Sequence, residues 1–158
     1  MNLDEMSVLD RRRIEAMVLA PVFKAFAQEV GEARAREIMG EVIVRIAQEQ
    51  GSALAQRMGR NDLQAFAESK GPWLRDDSLE IEDLEQSGSV HSYNVTRCRY
   101  AEMYRELGLP ELGAILSCGR DFALCGGFNP DIRLTRTQTI MSGAAFCDFR
   151  YTIEEEGR

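Results

Sequence analysis

A chain of 158 residues, 44% of them hydrophobic, can bury one substantial core and is read as a single domain over 1–158. Its formal net charge of −7 and sequence pI near 4.9 argue against nucleic acid or an anionic membrane surface as a partner. No apolar run approaches a membrane span, the stretch 16–21 being far too short. Asp4 and Glu5 stand where a secretory signal would carry lysines, so the expected location is cytoplasmic.

The first half, 7–72, reads as helical. Over 7–30, Ile14, Met17, Val18, Val22, Ala25 and Phe26 recur at helical spacing. Pro21 removes one backbone hydrogen bond and is expected to kink or divide this helix, and Gly31 to stop it. A second helix over 32–58 carries Ile38, Val42, Ile46 and Leu54 on one stripe, with weak points of about 1 kcal/mol each at Gly40 and Gly51. Asn61-Asp62 predicts an N-cap for a shorter helix over 63–70, closed by Gly71-Pro72. These amphipathic helices read as packing elements and offer the surface of a homo-oligomer.

The second half, 78–153, changes period. Leu79, Ile81 and Leu84 alternate with acids as in a half-exposed strand. Ser87-Gly88-Ser89 marks a turn into a second strand over 90–96, with Tyr93 and Val95 on one face and Ser92, Asn94 and Thr96 on the other. A helix over 99–107 presents Tyr100, Met103, Tyr104 and Leu107. Gly108 caps it, and Pro110 starts a further helix over 111–124, weak at Gly119 and ended by Gly126-Gly127. Strands over 132–141 and 145–153, joined at Ser142-Gly143, read as a hairpin. The predicted class is α+β, with N-terminal helices packed on a C-terminal antiparallel sheet that has inserted helices.

All four cysteines lie between Asn94 and Tyr151, and His91 is the lone histidine. Beside a Ser-Gly turn His91 is expected to be exposed, so any chemistry runs on thiols and carboxylates. The absence of an export signal predicts reduced thiols, and no pair is spaced C-x-x-C. Cys118, Asp121 and Cys125 are spaced to share one helix face. A carboxylate there raises a thiol pKa unless a cation or metal offsets it. Cys118 is therefore either a neutral partner of Asp121 or a thiolate beside a cation. Cys98 stands where a strand becomes a helix, between Arg97 and Arg99, which is the best thiolate environment the sequence offers; simple packing is the alternative. Cys147 shares a strand face with Phe149, Tyr151 and Ile153 and points into a core or an apolar pocket wall. Asp148 and Arg150 share the other face and read as a surface pair. Arg136 would anchor a carboxylate if its face meets a pocket.

Several blocks together resemble the L-2-amino-thiazoline-4-carboxylic acid hydrolase family. They are N-V-T-R-C-R-Y-A-E-M-Y-R-E-L-G-L-P-E-L-G (94–113), S-C-G-R-D (117–121), G-F-N-P-D-I (127–132), L-T-R-T-Q-T-I-M (134–141) and C-D-F-R-Y (147–151). The N-terminal helices, opening with Arg11-Arg12-Arg13-Ile14-Glu15, are compatible. The resemblance implies water addition to C2 of a cyclic amidine such as L-2-amino-thiazoline-4-carboxylate, then ring opening to a carbamoyl derivative of cysteine. It points to Cys98, Cys118 and Asp121 as catalytic, with Asp121 in acid–base work. Asn94, Arg136, Cys147 and Asp148 are the expected contacts to a small-molecule substrate that carries a carboxylate. Zinc is the cofactor it leaves open, with Cys98, Cys118 and Cys147 as thiolates around a metal-bound water. The element order also looks like small-molecule-binding domains of the four-vinyl-reductase type, which gives the alternative of a ligand-binding or sensor module without turnover.

Overall fold

The computed structural model describes residues 5–154. Residues 1–4, part of the stretch from which a cytoplasmic location was expected, and 155–158, the end of the expected domain, lie outside the described residues. The fold is α+β, as expected. Helix α1 (Val8–Val30) starts at Ser7, whose Oγ accepts from the Asp10 N–H at 3.1 Å, and runs through Pro21 without dividing. Gly31, at φ 87°, separates it from α2 (Glu32–Met58), and Gly59 ends α2 at φ 65°; both angles favour glycine. Asp62 caps α3 (Leu63–Glu68) by accepting from the Ala65 N–H at 2.9 Å. Gly71-Pro72 does not close the helical half: another turn, α4 (Gly71–Leu74), follows and carries Trp73 inward.

Strands β1 (Leu79–Gln86), β2 (Val90–Cys98), β3 (Ile132–Thr135) and β4 (Cys147–Ile153) form one antiparallel sheet in the order β1-β2-β4-β3. The register sets His91 opposite Tyr151, Tyr93 opposite Phe149 and Val95 opposite Cys147. Alternation then puts all six on the helix-covered face. His91 is consequently buried at 7% exposure, not exposed as its neighbouring turn suggested. The last two strands pair as expected, but β3 stops at Thr135. The Asp148 carboxylate accepts the backbone N–H groups of Thr137 and Gln138, each at 2.9 Å. Those donors therefore bend away from a ladder, and a short 3₁₀ turn at Ile140–Ser142 replaces the rest of the predicted strand.

Between the strands lie α5 (Arg99–Glu106) and one long helical segment made of α6 (Pro110–Gly113), a π turn (Ala114–Cys118) and α7 (Arg120–Phe128). Gly126 and Gly127 do not end it. Gly127 instead lies against the backbone of Gln48, as Gly51 lies against Leu124 and Phe128, so that a Cβ at either glycine would collide with the facing helix. What reads in sequence as a weak point at Gly51 and a helix end at Gly126-Gly127 is the close crossing of α2 and α7. One core gathers α1, α5 and the segment 110–118 around Tyr104 and Leu116. A second gathers α3, α7 and the sheet around Phe66, Phe128 and Tyr151. Trp73, Leu79, Cys98 and Ile140 pack against both.

Candidate functional site

Where the two cores adjoin, two cavities meet at Asp121. The first, about 90 Å³, lies among Val8, Arg12, Cys98, Cys118 and Arg120. The second, about 70 Å³, lies among Phe66, Lys70, Tyr93, Phe149 and Tyr151. Trp73, Leu79, Asp121 and Leu124 border both. A cavity of roughly 150 Å³ accepts a benzene ring, so the pair is on the scale of one small ring compound.

Asp121 stands in the first turn of α7, immediately beyond the π turn, an irregularity frequent at functional sites. It lies deep in the fold, yet its side chain keeps 31% exposure, because it borders both cavities. Burial pushes its carboxyl above the ordinary range, against the pull of Arg136 and Lys70. Arg136 Nη1 donates to Asp121 Oδ2, and Nη2 donates to the Cys118 carbonyl at 3.1 Å. The guanidinium rests over the rings of Phe122 and Phe149, at 5.1 and 5.2 Å from their centroids. The geometry thus gives Arg136 a carboxylate partner within the protein.

Lys70 enters the second cavity from beyond the end of α3. Its Nζ lies 3.9 Å from the Tyr93 ring centroid, 4.5 Å from that of Tyr151 and 2.8 Å from His91 Nε2. The ring faces favour an ammonium, but burial dominates and pushes the amine down to about 7, with Asp121 opposing. Burial, with repulsion from Lys70, pushes His91 down to about 4, so at neutral pH its ring is uncharged.

Cys98, Cys118 and Asp121 line the first cavity together; spacing linked only Cys118 and Asp121, and the resemblance added Cys98. Of the two states left open for each cysteine, burial favours the neutral thiol at both. Cys98 does cap α5, with Sγ accepting from the Ala101 N–H at 3.4 Å, but burial outweighs that bond and pushes the thiol up to about 11. Its flanking arginines face elsewhere: Arg97 pairs with Glu102 and Glu80, and Arg99 donates to the Asp76 carbonyl. Burial and the Asp121 charge push Cys118 up to about 12, with Arg136 opposing. Cys118 is therefore the neutral neighbour of Asp121.

Cys125, expected on the face of Cys118 and Asp121, packs in the second core and donates to the Ile132 carbonyl at 3.5 Å. Cys147 packs in the same core and accepts from the Ile140 N–H at 3.2 Å. Among the described residues no three histidine, cysteine, aspartate or glutamate side chains gather to hold a metal. Cys98, Cys118 and Cys147 therefore do not fit the three-thiolate zinc arrangement. Asn94 and Asp148 face each other across β2 and β4 on the outer side of the sheet. Asn94 bonds to Glu82 and Arg150, and Asp148 to the 137–138 backbone, so neither reaches the cavities. Arg150 correspondingly bonds to Asn94 and the Tyr93 carbonyl and makes no surface pair with Asp148.

Sequence reasoning missed Lys70, Trp73, Arg12 and Arg120. Lys70 ends the short helix expected over 63–70, Trp73 follows the Gly71-Pro72 expected to close it, and the two arginines were read only as members of the blocks that carry the resemblance. For Arg120 the signal was its place in S-C-G-R-D, directly before Asp121.

Among curated proteins none matches this chain. In fold it is similar to the phenol-responsive sensory domain of the transcription activator PoxR, solved with phenol. The TM-score is 0.53 at 12% identity, over 86% of this chain and 73% of that one, a likeness of fold alone. No described helix is long and apolar enough to cross a membrane. The model of the L-2-amino-thiazoline-4-carboxylic acid hydrolase family matches residues 11–151, which include the whole lining of the second cavity and all of the first's except Val8. The chain belongs to that family.

Proposed function

We propose that this chain hydrolyses a small cyclic amidine that carries a carboxylate, L-2-amino-thiazoline-4-carboxylate being the first candidate. The observation that carries the reading is the pairing, at one cavity junction, of a carboxyl group pushed up and an amine pushed down by burial. Groups shifted in opposite directions divide naturally into an acid and a base. Lys70, as the amine, takes a proton from water as its oxygen attacks the amidine carbon. Asp121, as the carboxylic acid, protonates the amidine nitrogen as the C=N electron pair moves onto it and takes up the remaining hydroxyl proton as the C=O forms, while the Lys70 ammonium protonates the ring sulfur as its bond to that carbon breaks. One water is consumed, and the ring opens to a carbamoyl derivative. Arg136 holds Asp121 in place, and Cys98 and Cys118 act as neutral wall groups and hydrogen-bond donors.

Mass spectrometry after incubation with L-2-amino-thiazoline-4-carboxylate tests this. The expected product gains the mass of one water, and D121N slows its formation by about 100-fold or more. Turnover by D121N equal to that of the unmodified protein would overturn the assignment.

The fold likeness to a sensory domain solved with phenol supports a second reading, a ligand-binding module without turnover. Saturable binding of the aminothiazoline with no mass change would favour it.

A further inference from the structure

The first cavity holds more buried positive charge than its neighbours neutralise. Arg12 and Arg120 both border it, at 6% and 7% exposure, and they share a single carboxylate. Arg12 Nη1 donates to both oxygens of Glu15 at 2.8 Å, and Arg120 Nη2 donates to Glu15 Oε2 at 3.4 Å. The other bonds of Arg120 go to uncharged acceptors, the Leu116 carbonyl at 2.6 Å and Gln50 Oε1 at 3.2 Å. Asp121, the acid in the lining of this cavity, attracts both guanidinium groups but hydrogen-bonds to a third, that of Arg136, so counting it sets three guanidinium groups against two carboxyl groups. Two guanidinium groups against one carboxylate leave one positive charge over, inside a protein of net charge −7.

Buried charge without a counter-charge is costly, and a bound anion removes the cost. Arg120 registers the imbalance: burial and the Arg12 charge push it down to about 10. The position also has an approach. Arg12, Glu15 and Gln50 border a groove of about 690 Å³ lined by α1, α2 and α4, which shares Val8, Trp73 and Leu124 with the first cavity.

We infer that Arg12 and Arg120 form an anion subsite that seats the carboxylate of a small ring compound, with the ring directed toward Asp121. Planar guanidinium forks match carboxylate geometry and discriminate it from a neutral amide. Only the naming of that carboxylate as the substrate's rests on the proposed hydrolysis; the subsite itself requires no turnover.

Trp73 is the single tryptophan and borders both cavities, so its fluorescence reports occupancy. The test titrates the full chain with benzoate and with benzamide, its uncharged counterpart, and repeats both with R12Q and R120Q. Benzoate is expected to bind about tenfold more tightly than benzamide or better, and each variant to lose that preference. Benzamide serves as the internal control for a variant that perturbs the fold, and the comparison in the unmodified chain decides by itself if neither variant folds. Benzoate binding no more tightly than benzamide, failure of both to bind, or a preference that survives both substitutions overturns the subsite. Failure to hydrolyse the aminothiazoline with benzoate preference intact sinks the hydrolase reading and leaves the subsite standing.

Discussion

Burial acts on Lys70 and Asp121 in opposite senses and drives both toward their uncharged forms. The pH dependence follows with a definite sign. Below about 7 Lys70 carries its proton and cannot act as a base; as pH rises through about 7 the amine is freed. Turnover is therefore expected to climb across that range, and K70M is expected to lower it by about 100-fold and abolish the climb. A pH–rate profile of both proteins checks this, and an unchanged K70M profile would remove Lys70 from the reaction. Asp121 was legible because three-residue spacing from Cys118 is a helical signature. Lys70 was not, since a lysine after a short helix ordinarily reaches solvent, and only the aromatic face of β2 and β4 turns it inward. At Cys98 the strand-to-helix corner was read correctly, but the choice between thiolate and packing stayed open, since sequence carries no measure of how deeply the corner is buried.

Most helices were legible from periodicity and capping, and so was the antiparallel sheet. The misreadings fall where tertiary contact overrides local propensity. Gly51 and Gly127 carry the ordinary helix penalty of glycine, yet each admits a facing backbone where no Cβ fits. Alanine at either is expected to force α2 and α7 apart and to destabilise by about 1–3 kcal/mol. Gly40, also inside α2, has nothing within 4 Å of a Cβ placed there, and G40A is expected to stabilise by about 0.5–1 kcal/mol. Urea unfolding of the three variants checks the contrast; G127A as stable as G40A would show that the crossing is not close. The lost length of β3 has a similar cause, since Asp148 supplies acceptors that the sheet would otherwise provide.

At the scale of the whole molecule, α1 leaves an apolar surface uncovered. Ile14, Val18, Val22, Phe26 and Val30 recur every fourth residue, at 39–60% exposure, and such a row marks a contact surface. The homo-oligomer expected from sequence remains a proposal, and this is the face it would use. Light scattering is expected to give a multiple of the 17.8 kDa chain mass, reduced to one chain by V22E; a monomeric unmodified protein would retire the idea. The segment 110–128 joins the two cores, with Gly113 against Tyr104 and Met141 at one end and Gly127 against Gln48 at the other. Each close fit fixes the rotation of the helix about its axis, and an uninterrupted α-helix has only one phase to give. The π turn between them works as a vernier: its wider hydrogen-bonded ring lets both ends seat at once, and Asp121, just past it, takes its aim from that adjustment. Removing a single residue from 114–118 would leave every apolar side chain chemically intact while setting the two ends out of phase by about 100°.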